Sequence, residues 1–190
     1  MRALRALGLT AALAAVFSGA AMAASATDPV TLGSAHVVDE AGVLSSSQLA
    51  AAEQRTQKLS DDTDVDLWVV YVPTFTNPSS SEDWANQTAR DNGLGPNQYL
   101  LAIAVDSRQF YLSGDSSGPV SGDQLSTIEQ QHIQPRLAAD DWAGATTAAV
   151  DGLNAAVGGG AGGGGGFVWA IVGILVVIAI VVIIVVVVRS

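Results

Sequence analysis

The sequence of 190 residues contains no cysteine. Disulfide bonds, thiolate zinc sites and thiol catalysis are therefore excluded together. Histidine is scarce as well: the chain has only His36, in an extended N-terminal segment, and His132, on an apolar helical stripe. For both we predict a structural role rather than a role as catalytic base or metal ligand.

Basic residues are few in the central part of the chain. Between residues 24 and 166, five Lys and Arg stand against 18 Asp and Glu, a net charge of −13. Because nucleic acids and anionic lipid surfaces are bound through basic patches, this charge argues against both as ligands of that region. It favours cations or basic partners, although an acidic surface also serves solubility.

One long apolar run is present near the C-terminus. Phe167 to Val188 is 22 residues without a charge, and as a helix it reaches roughly 33 Å, enough to cross a hydrocarbon core of about 30 Å. Trp169 suits the membrane interface and Arg189 the cytoplasmic flank. We predict one transmembrane helix at residues 167–188, in contact with the lipid bilayer, followed by a cytoplasmic tail of residues 189–190.

The N-terminus has the pattern of a secretory signal peptide at residues 1–23. Arg2 and Arg5 precede an apolar run, and small residues follow up to Ala23. An uncleaved signal anchor is the alternative. Both readings place residues 24–166 outside the cytoplasm. With the signal peptide removed, the prediction is a single-pass cell-membrane protein.

Between these segments lies one domain, at residues 36–157. An extended lead-in at residues 24–35 precedes it, and a Gly-rich linker at residues 158–166 follows it as a flexible tether. The lead-in is expected to have no core of its own. The length of the middle region suits a single domain of ordinary size.

Periodicity predicts alternating helices and strands in this domain. A helix is expected from Ser46 to about Ser60 and a short one after Pro78. A third helix is expected to be kinked or ended by Pro135, and its buried stripe consists of Leu125, Ile128, His132 and Leu137. A last helix runs to Val157. The predicted strands are Val65 to Val72, Tyr99 to Val105 and Gln109 to Leu112. The predicted helix caps are Ser45, Ser79, Ser121 and Asp140. This order predicts a three-layer α/β/α domain with a mixed sheet, followed by the transmembrane helix.

Four stretches carry a resemblance to a known family. They are VVDEAGVLS from Val37, the strand VDLWVVYV, the hairpin NQYLLAIAVDSRQFYLSG and the helix start DDWAGA. Over about residues 36–157 the chain resembles the TPM domain family, most specifically at Asp39 with AGVLS and at Asp106 with Arg108. That family includes a thylakoid-lumen acid phosphatase and photosystem II repair proteins. Many bacterial members share the layout of signal peptide, TPM domain, Gly-rich linker and one span.

A candidate site is predicted from three carboxylates at loop ends of the sheet: Asp39, Asp106 and Asp115. Ligands commonly bind where loops converge at the carboxyl edge of an open α/β sheet, and hard oxygen ligands suit Ca²⁺ or Mg²⁺. Arg108 is the candidate for holding an anionic group, or it pairs with Asp106. The alternative is that these Asp residues only form turns.

Two functions follow as hypotheses. The first is an extracytoplasmic adaptor that binds a divalent cation and assists a neighbouring membrane or envelope protein. The second is a metal-dependent acid phosphatase acting outside the cytoplasmic membrane. Since the sequence has no RHG, G-x-S-x-G, H-E-x-x-H or Walker pattern, a phosphatase here would need a metal-bound water or an Asp nucleophile.

Overall fold

A computed structural model describes residues 26–159 of the chain. The predicted signal peptide, the transmembrane helix, the cytoplasmic tail and linker residues 160–166 lie outside the described residues. Across 26–159, none of the helices combines the length and apolar character needed to span a membrane.

The described chain contains six strands and five α-helices. The strands are β1 (Ala26–Thr27), β2 (Val37–Asp39), β3 (Asp66–Val72), β4 (Thr74–Phe75), β5 (Gln98–Ala104) and β6 (Gln109–Ser113). The helices are α1 (Ser46–Asp62), α2 (Ser81–Asp91), α3 (Gly122–Thr127), α4 (Gln134–Ala138) and α5 (Trp142–Gly159), with a π-helical segment (Ile128–Ile133) between α3 and α4.

Four strands form the main sheet, in the order β2-β3-β5-β6. β2, β3 and β5 are parallel, and β6 pairs antiparallel with β5. The two central strands are the apolar runs DLWVVYV and QYLLAIA, because strands covered on both faces need apolar side chains on both. The predicted mixed α/β sheet is thus confirmed.

Helices cover both faces of this sheet. Leu67, Val69 and Tyr71 point from β3 into a core shared with α1, α3, the π-helical segment and α5. The alternate residues Val70 and Val72 point to the other face, where Trp84 and Ala85 of α2 and Phe75 pack. The described domain therefore has three layers.

The described part of the lead-in has no core of its own and packs against the domain. β1 pairs with β4, and the carbonyl of Thr27 accepts a hydrogen bond of 2.9 Å from the Trp84 indole. The side chain of Asn92 bonds both Val30 O, at 2.8 Å, and Leu32 N, at 2.7 Å. Residues 26–32 thus cover the apolar side chains on the α2 face of the sheet. Their segments are short and show no periodicity from which this role could be predicted.

Two predicted helix starts are confirmed and two are shifted by one residue. Ser45 and Ser121 form full capping boxes with Gln48 and Gln124. α2 is capped by Ser80 rather than Ser79. For α5 the cap is Asp141, whose Oδ1 accepts a 3.0 Å hydrogen bond from Gly144 N, and not Asp140.

The π-helical segment changes which side chains face the core. Its wider turn places Ile133, five residues after Ile128, in the buried position, while His132 faces solvent. The prediction of His132 on the buried stripe is therefore wrong. Pro135 lies in the first turn of α4, where its missing N–H is tolerated.

The last helix extends past the predicted end of the domain. α5 includes Gly158 and Gly159, so the Gly-rich stretch does not begin as coil.

Candidate functional site

A groove of about 360 Å³ opens at the carboxyl edge of the parallel strands. It lies between the β5–β6 hairpin and the segment from α4 to the start of α5. The lining residues are Ile103, Ala104, Arg108, Gln109, Phe110, Gln134, Leu137, Ala138 and Trp142. This is the edge at which open α/β sheets commonly carry ligands.

The floor of the groove is apolar. Ile103 and Phe110 are opposite each other in the β5–β6 pairing, and Leu137 and Trp142 approach from the helices. Phe110, Leu137 and Trp142 pack against the core and remain half-buried. The groove therefore presents apolar surface that is only partly removed from water.

A buried tyrosine fixes the helix that forms one wall. The Tyr71 hydroxyl donates a 2.7 Å hydrogen bond to the carbonyl of Trp142 and also bonds the hydroxyl of Thr146. Burial raises the pKa of Tyr71, with Asp39 and Asp141 contributing in the same direction, so its phenol stays protonated as a donor. These bonds from β3 hold the first turn of α5, and with it Trp142, in place.

An ion pair lies at the rim of the groove. Arg108 Nη2 is 2.8 Å from Asp140 Oδ1, with about 60% of each side chain exposed. Both residues have left-handed backbone, with φ of 53° at Arg108 and 56° at Asp140. In the described part of the chain, only Asn77 shares this conformation among non-glycine residues. Pairing with Asp106 was one of the two roles predicted for Arg108, the other being to hold an anionic group. No sequence signal connects Arg108 with Asp140, which is 32 positions away.

Asp39 lies at the same edge and organises the loop after β2. Its two carboxylate oxygens accept hydrogen bonds from Val43 N at 3.2 Å and Leu44 N at 2.8 Å. The backbone N–H groups of Glu40 and Ala41 both donate to Tyr71 O. The motif DEAGVLS thus has a structural reason: its first carboxylate folds the loop that leads into α1.

Asp106 is exposed on the hairpin turn, at the same edge as Asp39. Its backbone N–H donates to Pro73 O at 2.9 Å, which ties the turn to the end of β3. Nothing in the structure tests whether Asp39 and Asp106 bind a cation, and that role stays a prediction.

Asp115 does not share this edge. It follows β6, which runs antiparallel and ends beside Leu100, near the start of β5. Its Oδ1 accepts hydrogen bonds from the backbone N and the hydroxyl of Ser117, which lower the pKa of Asp115. Over residues 26–159, no group of three or more Asp, Glu or His side chains is placed to hold a metal ion. The three predicted ligands are therefore not brought together.

Comparison with known proteins finds a family match over most of the described domain. Residues 37–156 match the family model described as the TPM domain. Two UPF0603 proteins of Mycobacterium tuberculosis, MT2410 of strain CDC 1551 / Oshkosh and Rv2345 of strain ATCC 25618 / H37Rv, are each 37% identical over 155 residues. That match covers 81% of this chain and 23% of each relative, so the chain spans about a quarter of the length of these curated relatives.

Two solved structures resemble the fold. The N-terminal domain of the cg2496 protein from Corynebacterium glutamicum, solved by NMR, has a TM-score of 0.58 and 22% identity, covering 73% of this chain and 93% of that one. The NMR structure of an N-terminal domain of a protein from P. gingivalis has a TM-score of 0.58 and 24% identity, covering 66% and 83%. At these identities the likeness shows the fold alone.

Proposed function

We propose a function from one premise: the chain belongs to the TPM domain family. The protein is a single-pass membrane protein, anchored through Phe167 to Val188, whose TPM domain lies outside the cytoplasm. There the domain acts as an adaptor that binds a neighbouring envelope or membrane protein through its carboxyl-edge groove. The apolar run, the signal pattern and the net charge of −13 in residues 24–166 support this arrangement.

The observation that carries the proposal is the rim of the groove. Arg108 and Asp140 both adopt left-handed backbone and meet in an ion pair there. A left-handed non-glycine residue costs about 1 kcal/mol or more, which glycine would avoid. Such strained residues cluster at binding and active sites. Two of them, paired with each other at the rim of an apolar groove, support a binding role for this surface.

The chemistry of the groove suits binding better than hydrolysis. Its described lining combines apolar side chains with one guanidinium and the amides of Gln109 and Gln134. None of these lining residues is a Ser, Thr, His, Asp or Glu that could act as nucleophile or base. Apolar contact with a few polar groups is the usual composition of a recognition site.

A divalent cation, Ca²⁺ or Mg²⁺, is proposed as a second component, at Asp39 and Asp106. Asp39 ends β2 and Asp106 comes after β5, at the same edge of the sheet with β3 between the two strands. Carboxylate oxygens are the ligands that these hard cations prefer. Because Asp39 already accepts two backbone hydrogen bonds, an ion would use its remaining lone pairs together with water or carbonyl oxygens. Asp115, at the other edge, does not belong to this set.

The alternative function is a metal-dependent phosphomonoesterase at the same edge. Arg108 would then contact the phosphate after leaving Asp140, and a metal ion held by the Asp39 and Asp106 carboxylates would supply an activated water. Hydrolysis of a chromogenic phosphate by the purified protein, abolished by a chelator and by Asp106→Ala, would favour this function over the adaptor.

Site-specific photo-crosslinking in intact cells tests the adaptor. A crosslinking amino acid is placed at Gln134, which is exposed in the groove, and as control at Gln54, which is exposed on α1. We expect Gln134 to capture a defined envelope or membrane protein, and Leu137→Ser to abolish that product. The proposal would be refuted if both positions captured the same proteins in equal yield, or if Gln134 captured none.

Orientation is tested separately by adding protease to intact spheroplasts. The domain should be removed, because it is exposed outside. Protection of the domain until the cells are lysed would show that it lies in the cytoplasm.

A further inference from the structure

We infer that the groove takes a basic polypeptide segment, which inserts one large apolar side chain and places a Lys or Arg beside Asp140. This inference rests on the proposed adaptor function and names the chemistry of the partner. It follows from the size of the groove, from the charge around it and from the position of Arg108.

The size of the groove suits a single anchor residue. About 360 Å³ is at the small end of the roughly 300–1,000 Å³ range of ligand pockets. The apolar surfaces of Phe110, Leu137 and Trp142 face this space while half-buried. Interfaces between proteins gain most of their affinity from one or a few aromatic or aliphatic anchors in such pockets.

The negative charge of the domain favours a positively charged partner. Residues 26–159 carry 18 acidic and five basic side chains, and three of the bases already form ion pairs, at Lys58, Arg108 and Arg136. Three carboxylates lie close in sequence to groove-lining residues: Asp140, paired with Arg108, Asp141, paired with Arg136, and Asp106 on the hairpin turn. They outnumber the two guanidinium groups among them. A cationic segment is attracted by this field and an anionic one is repelled.

Arg108 occupies the place of the ligand cation. It holds one oxygen of Asp140 through a single contact of 2.8 Å, in a pair open to solvent. A Lys or Arg of the partner can replace it there at little cost, because one exposed ion pair is exchanged for another. Arg108 is thus an internal competitor at the mouth of the groove. Removing it should strengthen the binding of a cationic ligand, whereas an anionic ligand would lose its contact.

Peptide probes test this in the full chain, reconstituted in nanodiscs of zwitterionic lipid so that lipid charge does not attract them. The first probe is a labelled, blocked peptide with Phe between two pairs of Lys. The second has Ser for Phe, and the third has Glu for each Lys. Binding is followed by fluorescence anisotropy, with empty nanodiscs as blank.

We expect the Phe–Lys probe to bind, and the Kd to rise about tenfold for the Ser probe and in Leu137→Ser, since each removes the apolar contact. Asp140→Asn should raise the Kd several-fold while preserving the backbone, because Asn tolerates left-handed φ. Arg108→Gly should lower it. The matched control Asp123→Asn removes one exposed carboxylate from the first turn of α3 and should change the Kd less than twofold.

Three results would overturn the inference. The first is tighter binding of the Glu probe, abolished by Arg108→Gly, which would make the groove a site for anionic ligands and leave the adaptor intact. The second is absence of binding by every probe while crosslinks at Gln134 persist. The third is Lys-probe binding that Asp140→Asn and Leu137→Ser leave unchanged, which would show general attraction to an acidic surface. Loss of the Gln134 crosslinks instead refutes the adaptor itself.

Discussion

The carboxylate of Glu129 accepts a hydrogen bond of 2.6 Å from the backbone N–H of Leu112, at the outer edge of β6. At the other end of the sheet Glu53 does the same for β2, accepting 2.9 Å hydrogen bonds from His36 N and Val37 N. Exposed strand edges invite pairing with other chains. Both edges of this sheet are thus partly closed by glutamates from neighbouring helical segments.

Glu129→Gln should make stability less dependent on pH. Burial raises the pKa of Glu129 above its ordinary value of 4.5, so the fold favours the protonated form. The wild type therefore loses stability relative to the Gln variant as pH rises from about 4.5 through the raised pKa. Urea unfolding of both proteins from pH 4 to pH 8 measures this difference.

Glu129→Ala is the control for that experiment. Ala cannot accept the Leu112 N–H, and an unpaired buried donor costs about 1–3 kcal/mol. The loss should appear at every pH, including the acid end where the wild-type carboxyl is protonated. If the difference in unfolding free energy between the wild type and Glu129→Gln did not change from pH 4 to pH 8, folding would not shift the pKa of Glu129.

Arg108→Gly should stabilise the protein. The backbone φ of 53° at this position is one that glycine adopts without strain, and the lost ion pair is exposed and worth between about 0 and 1 kcal/mol. We expect a net gain of a few tenths to about 1 kcal/mol in the free energy of unfolding. Arg90→Gly, in the last turn of α2, is the matched control and should lose about that much through helix propensity. A loss in both variants would mean that the Arg108–Asp140 pair is worth more than the strain.

Gly152→Ala should destabilise the packing of α5. A Cβ at Gly152 would lie 2.8 Å from Ile128 Cγ2 and 2.9 Å from Cγ1, closer than van der Waals contact, and overpacking of this kind costs about 1–3 kcal/mol. In an Ile128→Ala background the same change should be neutral or favourable, since Ala has the higher helix propensity. Gly158→Ala in the same helix meets no atom within 4 Å and should not destabilise. Additive losses in the double variant would show that the Ile128 contact is not the cause.

The elements with strong local signals were predictable from the sequence. The capping boxes at Ser45 and Ser121 have fixed spacing, and the β3 run is too apolar for a half-exposed strand, so each was placed to within one or two residues. β2 was missed because its three residues are too few to show a period, and it pairs only through contacts with β3. The π-helical turn was missed because one extra residue per turn leaves no trace in composition, which moved the buried position from His132 to Ile133.

The sheet edge at which two of the candidate carboxylates lie was predictable, and that of the third was not. Loops that follow parallel strands meet at one edge, so Asp39 and Asp106 were placed correctly. Asp115 lies at the opposite edge, because β6 runs antiparallel to β5 and the loop after β6 therefore leaves the sheet near the start of β5. The pairing of Arg108 with Asp140 depends on how α4 and α5 pack beside the hairpin, which no local pattern encodes.

Calcium should stabilise the full chain in a saturable way. An ion that brings the Asp39 and Asp106 carboxylates together in the folded state stabilises it by about RT ln(1 + [L]/Kd). Since a domain with a net charge of −13 also gains from general screening, the melting temperature is measured in 150 mM salt, where the Debye length is already about 8 Å. We expect a rise with a defined midpoint at millimolar calcium or below.

Asp39→Asn and Asp106→Asn should abolish the calcium-dependent part of that rise, because each removes one charged ligand. Asp39→Asn should in addition lower the melting temperature without calcium, since an amide has one acceptor oxygen for the two N–H groups of Val43 and Leu44. Asp115→Asn is the matched control: it removes the same charge from the opposite edge of the sheet and should leave the calcium response intact. Equal losses from all three substitutions, or a rise that grows without saturating, would show that calcium acts only as a counterion and would remove the cation from the proposed function.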